Sequence, residues 1–320
     1  MTDILITLDP KDIPQSEIER IRSIVPDARL FVTNKEEEMQ PLMNDIEILA
    51  GHFQVDWLPQ MPRLHWYQQW GAGTDWLLNY PEIARMDFIL TNSSGVHAVS
   101  ISEHILSMML AFSRRLPQAI RNQEQHRWDR GGQPPAFELA GKTMVLVGVG
   151  AIGQRAAQIT AALGMHVIGV RNDKTKSVSG VEKMIGPDEL DSVLPEADFL
   201  VLTMPLTAET RQMINAKTFE KMKPSAYLIN IGRGGTVDED ALIQALQNGQ
   251  IAGAGLDVFA KEPLPSGSPL WDMPNVIITA HYSGFAPHYN ERALEIFVDN
   301  LDRYVHHQPM RNVVDKQRGY

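Results

Sequence analysis

TMVLVGVGAIGQRAAQITAALG, residues 143–164, decides the fold. It opens as an apolar run, breaks at Gly148, Gly150 and Gly153, and continues as a helical stretch that stops at Gly164. A run apolar on both faces suits a parallel strand covered by helices, so the glycines occupy a strand-to-helix turn. Each has a task there. Gly148 permits the tight turn, Gly150 lets backbone approach a pyrophosphate, and Gly153 lets the helix lie close on the strand. Ala151 and Ile152 lie in the same turn and complete the candidate contacts. The GxGxxG spacing is weak evidence alone, but a strand before it, a helix after it and a second strand, HVIGV at 166–170, make it a dinucleotide-binding turn.

The second strand ends at Val170, which places Arg171 where the adenosine ribose would lie. An acid at that position would bond the 2′-hydroxyl of NAD and repel a 2′-phosphate, whereas a guanidinium can hold that phosphate bidentately. NADP, as NADPH, is therefore the favoured cofactor, and NAD the weaker alternative. Asn172 can donate a side-chain bond, and Lys174 and Lys176 add charge that Asp173 partly offsets. The competing reading makes Arg171 a solvated turn residue in a loosely selective site.

Outward from this turn the alternation continues. DFLVLTM, AYLINI, AGAGLDV and NVIITA are further buried strands between helical segments, so this half reads as a doubly wound sheet. In TVDEDALIQALQNG, Thr236 and Glu239 have capping-box spacing and Gly249 is the expected stop. The first 95 residues repeat the style more loosely, with DILITL, ARLFVT, IEILAG, LHWYQQW and FILTNS as strands. Ala98, Ile101, Ile105, Met108 and Phe112 form one apolar stripe of a long helix, which makes Met108 and Met109 core residues. A last helical run, RALEIFVDNLDRYV, returns the chain to the first domain. The expected division is 1–96 plus 286–320 for a substrate-binding domain and 97–285 for a dinucleotide-binding domain, with a cleft between them.

Composition narrows the function. The 320 residues are 43% hydrophobic, enough for two cores, and 29 basic against 39 acidic residues give a net charge of −10, which argues against nucleic acid as a partner. With no cysteine, disulfides and thiolate metal sites are excluded. The histidines and acids lack zinc-binding spacing, so no metal is expected. No signal-like or membrane-spanning apolar run occurs, and a cytoplasmic location is the default.

Five ordered motifs carry a resemblance: GVGAIG, TMPLTAETRQMIN, INIGRGGTVDEDAL, GLDVFAKEPLP and TAHYSG, with GAGTD at 71–75 and SEHIL at 102–106. Together they resemble the D-isomer-specific 2-hydroxyacid dehydrogenases, in particular NADP-preferring members of the glyoxylate/hydroxypyruvate reductase type. That resemblance implies an α/β protein of two Rossmann-like domains, each a doubly wound parallel sheet, with an interdomain cleft. It implies hydride transfer between NADP(H) and a small 2-keto acid, with Arg233 gripping the carboxylate and His281 exchanging the proton. Glu262 is then the acid partner that favours the charged imidazole and fixes its tautomer. Without the histidine motif, Glu262 would read as an exposed acid in a Pro-bounded loop. By the same resemblance Ala72 and Gly73 offer amides to the substrate carboxylate. Met204, Pro205, Thr210, Ile231, Gly232, Asp257, His281 and Gly284 join the cofactor contacts, Asp257 and the Ile231 carbonyl at the nicotinamide.

Two departures stand out. TAHYSG has Ala280 and Tyr282 around the histidine where proline and a small or aliphatic residue are common, and Tyr282 would reshape the cleft. Trp70, His52 and Phe53 either approach a substrate side chain or only pack. Glu262 speaks against a formate-type dehydrogenase. The alternative of a different class is a dinucleotide-sensing corepressor-like binding protein of the same fold. A homodimer through the long helix is the expected assembly, which the stripe at Ala98–Phe112 permits.

Overall fold

The computed structural model describes residues 2–130 and 135–319. The chain folds into two units, Met1–Val96 with Ala286–Tyr320, and His97–Phe285.

The smaller unit holds five parallel strands: β1 (Asp3–Thr7), β2 (Arg29–Val32), β3 (Ile48–Gly51), β4 (Trp66–Gln69) and β5 (Ile89–Thr91), in the order β2-β1-β3-β4-β5. Every residue of β1, β3 and β4 is buried, because helices and loops cover both faces. On one face the helices Gln15–Ile24 and Tyr289–Val305 pack, with Trp66 stacked on Phe297 at 5.4 Å. Trp70 belongs to this core. It is fully buried, its indole Nε1 donates to Asn290 Oδ1 at 3.1 Å, and its carbonyl accepts from the Tyr289 hydroxyl at 2.6 Å. Of its two readings the structure therefore bears out packing, since no face of the indole is left for a ligand. Phe53 packs edge-on against Trp57 at 5.8 Å, and His52 is exposed.

The larger unit holds seven parallel strands: β6 (Thr143–Val147), β7 (His166–Val170), β8 (Lys183–Ile185), β9 (Phe199–Leu202), β10 (Tyr227–Asn230), β11 (Gly253–Leu256) and β12 (Val276–Ile278). Their order is β12-β11-β10-β9-β6-β7-β8. The chain builds outward from β6 in one direction through β8 and in the other through β12. Between β6 and β9 it changes direction, and beyond the carboxyl ends of strands at such a point parallel sheets bind ligands.

Helix Ala98–Ser113 lays Ile101, Ile105, Met108 and Phe112 into the core beside Ala156 and Ala157 of helix Ala151–Ala162. Met108 and Met109 are core residues, 2% and 0% exposed. Four residues of the stripe, Ile101, Ile105, Met108 and Phe112, thus pack within the unit itself. The capping expectation is also corrected. Asp238 caps helix Glu239–Gln247 by accepting from the Ala241 amide at 3.1 Å. Thr236 instead donates to the Arg233 carbonyl at 2.6 Å, and Glu239 accepts from the Ala260 amide at 2.9 Å. Both side chains were drawn away by the neighbouring turns. Gly249, at φ +66°, follows the helix end as expected.

Candidate active site

The candidate residues of the larger unit leave the sheet at one edge. In sheet order, His281 follows β12, Asp257 and Glu262 follow β11, Ile231, Gly232 and Arg233 follow β10, Met204 follows β9, Gly148 follows β6 and Arg171 follows β7. All strands run parallel, so these turns lie side by side, and at about 4.8 Å per strand the row from β7 to β12 spans roughly 24 Å.

At the glycine turn, Gly148 has φ +95°, and a methyl there would come within 2.6 Å of the Met204 amide nitrogen. A methyl on Gly153 would lie 2.3 Å from the Gly148 carbonyl. These two glycines let helix, strand and neighbouring turn close on one another. Gly150 differs. It precedes helix Ala151–Ala162, and a methyl on it would point into open space. The first-turn amides of Ala151, Ile152 and Gly153 have no partner within their helix, which suits an anion.

Arg171 is half-buried, its amide held by the Ile185 carbonyl at 3.0 Å. Among the described residues its guanidinium pairs with no acid. Lys174 is bound to Glu189 at 2.7 Å and Lys176 to Asp173 at 3.4 Å, so two of the three cations are already answered. Asn172 is exposed beside them.

The Met204 side chain lies in the core, 5% exposed, so only its backbone is offered at the edge. Pro205 is exposed, and Thr210 donates its hydroxyl to the Pro205 carbonyl at 2.7 Å. Gly232 approaches the same turn, since a methyl there would lie 2.7 Å from the Met204 carbonyl. Arg233 is extended and half-buried, and its Nη1 donates to the Gly232 carbonyl at 2.8 Å. Its own carbonyl accepts from Asn230 Nδ2 at 3.2 Å and from Thr236. A methyl on Gly234 would sit 1.9 Å from the Phe259 carbonyl, so the arginine turn presses on the chain leading to Glu262.

His281 Nδ1 meets Glu262 Oε2 at 2.6 Å, and the other carboxylate oxygen accepts from the Phe259 amide at 3.0 Å. An ionised carboxylate only accepts, so Nδ1 carries the proton and Nε2 is left to face a reactant. His281 has φ +52°, a left-handed conformation that costs a non-glycine residue on the order of 1 kcal/mol or more. Asp257 compensates. Its carbonyl accepts the His281 amide at 2.9 Å, and its fully buried carboxylate accepts from Tyr282 N at 3.1 Å, from Ser283 N at 3.1 Å and from the Thr279 hydroxyl at 2.6 Å. Burial alone would raise the Asp257 carboxyl, but the bonds from Ser283 and Thr279 outweigh it and hold its pKa below the ordinary range.

Four residues here carried no role in the sequence. His104 Nε2 meets the Thr279 hydroxyl at 3.1 Å, and its ring packs edge-on against Tyr282 at 5.8 Å. His97 Nδ1 meets the Gly284 carbonyl at 2.9 Å, and Ser100 donates to the same oxygen at 3.4 Å. Burial lowers the pKa of both histidines, against Asp257 for His104 and the Gly284 bond for His97. For His97, Ser100 and His104 the available signal was their common helical face, at i, i+3 and i+7.

In the smaller unit, Ala72 and Gly73 follow β4. Gln69 and Asn92 side chains hold the Gly73 and Ala72 carbonyls at 2.6 and 2.8 Å. The two amides make no hydrogen bond among the described residues. Among the described residues no group of three or more His, Cys, Asp or Glu could hold a metal, and no helix is long and apolar enough to cross a membrane.

A paired imidazole, a guanidinium on the same edge and a glycine turn open toward an anion form a set suited to proton exchange at a carbonyl whose carboxylate is held. Comparison with known proteins agrees. Residues 106–283 match the family model for the D-isomer specific 2-hydroxyacid dehydrogenase NAD binding domain. A glyoxylate/hydroxypyruvate reductase B of Pectobacterium atrosepticum is 36% identical over 271 residues, covering 84% of each chain. Among solved structures, an NADPH-dependent glyoxylate/hydroxypyruvate reductase of Sinorhizobium meliloti, in complex with NADP and sulfate, matches with a TM-score of 0.83 at 29% identity over 100% of both chains. A D-isomer specific 2-hydroxyacid dehydrogenase of Xanthobacter autotrophicus, in complex with NADPH and MES, matches with a TM-score of 0.84 at 29% identity, again over 100% of both chains.

Proposed function

Because the chain belongs to the D-isomer-specific 2-hydroxyacid dehydrogenase family, we propose that it reduces a small 2-keto acid of the glyoxylate or hydroxypyruvate kind with NADPH. It is an oxidoreductase, and the reaction is reversible hydride transfer. The carrying observation is the His281–Glu262 pair at 2.6 Å, on the same sheet edge as Arg233 and the glycine turn. The corepressor-like alternative finds no support among the relatives named above.

The residues fit the dinucleotide. Gly150 leaves open space at a helix start, and Arg171, paired with no acid among the described residues, offers its guanidinium at the end of β7. Pyrophosphate falls to the amides of Gly150, Ala151, Ile152 and Gly153, and the 2′-phosphate to Arg171 and Asn172. The bound reduced nicotinamide supplies the hydride. Arg233 holds the substrate carboxylate in a planar fork and draws charge toward the carbonyl oxygen. His281 gives its Nε2 proton to that oxygen as the alkoxide develops, and Glu262 steadies the ring while it is charged. In oxidation the neutral ring takes the proton back.

The reading extends to a cytoplasmic homodimer. Leu110, Leu116, Ile120 and Trp128 stand exposed on the larger unit, Trp128 by 87%, and support a second copy as the partner. The test is a matrix of glyoxylate, hydroxypyruvate and longer 2-keto acids against NADPH and NADH. We expect turnover with the small acids and a kcat/KM favouring NADPH by about tenfold or more, the worth of one charge-assisted phosphate contact. No turnover with any pair would remove the enzyme reading.

A further inference from the structure

The loop Thr279–Phe285, which carries His281, is fastened to helix Ala98–Ser113 at both ends. At one end His104 Nε2 lies 3.1 Å from the Thr279 hydroxyl, and at the other His97 Nδ1 lies 2.9 Å from the Gly284 carbonyl, with Ser100 on the same oxygen at 3.4 Å. His97, Ser100 and His104 are spaced to share one face of the helix. A methyl on Gly284 would come 3.1 Å from the His97 ring, so loop and helix are already in contact there.

The proton assignments follow from counting donors. The Thr279 hydroxyl has one proton, and at 2.6 Å from Asp257 Oδ1 it donates to that carboxylate, which only accepts. His104 Nε2 must therefore donate to Thr279. The result is a chain of donors, His104 to Thr279 to Asp257, ending on the carboxylate that gathers the amides of Tyr282 and Ser283. Between those amides and Thr279 sits His281, in a conformation that its own side chain disfavours.

We propose that His104 and Thr279 are positioning residues for His281: their hydrogen-bond chain to Asp257 holds the left-handed turn that aims the imidazole at the substrate oxygen. The inference rests on the reading of His281 as proton donor. Neither residue touches substrate. Each acts by keeping the Asp257 carboxylate turned toward the loop, so the orientation of the imidazole is set from the helix behind it. Tyr282, edge-on to the His104 ring at 5.8 Å, limits the tilt of that ring.

The experiment compares Thr279→Val with Thr279→Ser, and His104→Leu with His104→Gln, in the full chain. Reduction of glyoxylate is followed with NADPH and with NADPH deuterated at the transferred position, beside KM for NADPH and thermal melting. The valine variant should slow reduction by about 10- to 100-fold, the range that losing a hydrogen bond to a charged group controls, and the leucine variant by about 3- to 10-fold, the range for a neutral one. Their primary deuterium isotope effect on kcat should rise, with KM for NADPH within about twofold of the parent and melting nearly unchanged. Serine and glutamine keep a donor and should recover most of the rate. An unslowed valine or leucine variant, or a loss that serine and glutamine do not recover and that leaves the isotope effect unchanged, overturns the proposal. Should Thr279→Val not fold, the His104 pair decides. His281→Ala separates the two readings. If it keeps turnover, the proton-donor assignment fails; if it is inactive while Thr279→Val runs at full rate, only the positioning role fails.

Discussion

The turn after β12 and the turn after β7 stand far apart on one sheet edge and are built on opposite plans. Around His281 the polar groups are answered from within the chain: Glu262 takes Nδ1, Phe259 takes the far oxygen of Glu262, and Asp257 gathers two amides and a hydroxyl. Around Arg171 little is answered. Among the described residues the guanidinium has no acid on it, while its neighbours Lys174 and Lys176 are bound to Glu189 and Asp173. The difference teaches where orientation must exist beforehand. A proton donor has to be aimed before a reactant arrives, whereas a cation that reads a phosphate can be ordered by the phosphate itself.

The contrast can be broken at its rigid end. His281→Ala and Arg233→Ala should each lower kcat/KM for keto-acid reduction by about 10²- to 10⁴-fold while a fluorescence titration still detects NADPH binding. Turnover near the parent level in either variant would dissolve the distinction. At the open end, Arg171→Ala should cost about 1.5–3 kcal/mol of transition-state binding with NADPH and little with NADH. Equal losses with both cofactors would mean that this side chain does not read the 2′-phosphate. The smallest effect sharpens the comparison through stability. Because the folded-state pKa of Asp257 is depressed, its contribution is present above the unfolded value near 3.9 and is lost as pH falls through the folded one. Asp257→Asn should thus destabilise the chain by about 2 kcal/mol at pH 7, and by progressively less in acid, read as the gap between denaturation midpoints. A gap independent of pH would show that the carboxylate is no special anchor.

Most strands of both sheets were legible because parallel strands covered by helices leave short apolar runs, and β8 was not. β8 is three residues long and half exposed at the sheet edge, so Lys183–Ile185 carries no such run. The glycine turn was legible residue by residue, since Gly148 and Gly153 face backbone and Gly150 faces open space. Arg233, Glu262 and His281 stand in ordered motifs, and the short bond between the last two is a fact that only the fold supplies. Side chains with rival partners were less legible. Thr236 had capping-box spacing but turned to the Arg233 carbonyl, and Asp238 took the cap. Met204 sat in a loop motif yet buried its side chain, and Trp70 near the GAGTD turn went into the core. His97, Ser100 and His104 stayed hidden because the apolar stripe of their helix dominates its pattern, while their partners, Thr279 and Gly284, lie far along the chain.

The bond between Glu262 and Nδ1 has a consequence for stereochemistry. In the proposed reaction it leaves one nitrogen of the imidazole to deliver a proton, and the twist at residue 281 fixes the direction from which that nitrogen would approach. A keto acid larger than glyoxylate, with its carbonyl met by the proton along one line and by the hydride from one face, would yield an alcohol of one hand. Mirror-image product would require the keto acid to turn its other carbonyl face to the hydride and carry its oxygen away from Nε2, and the two bonds on the Glu262 carboxylate keep that nitrogen from following.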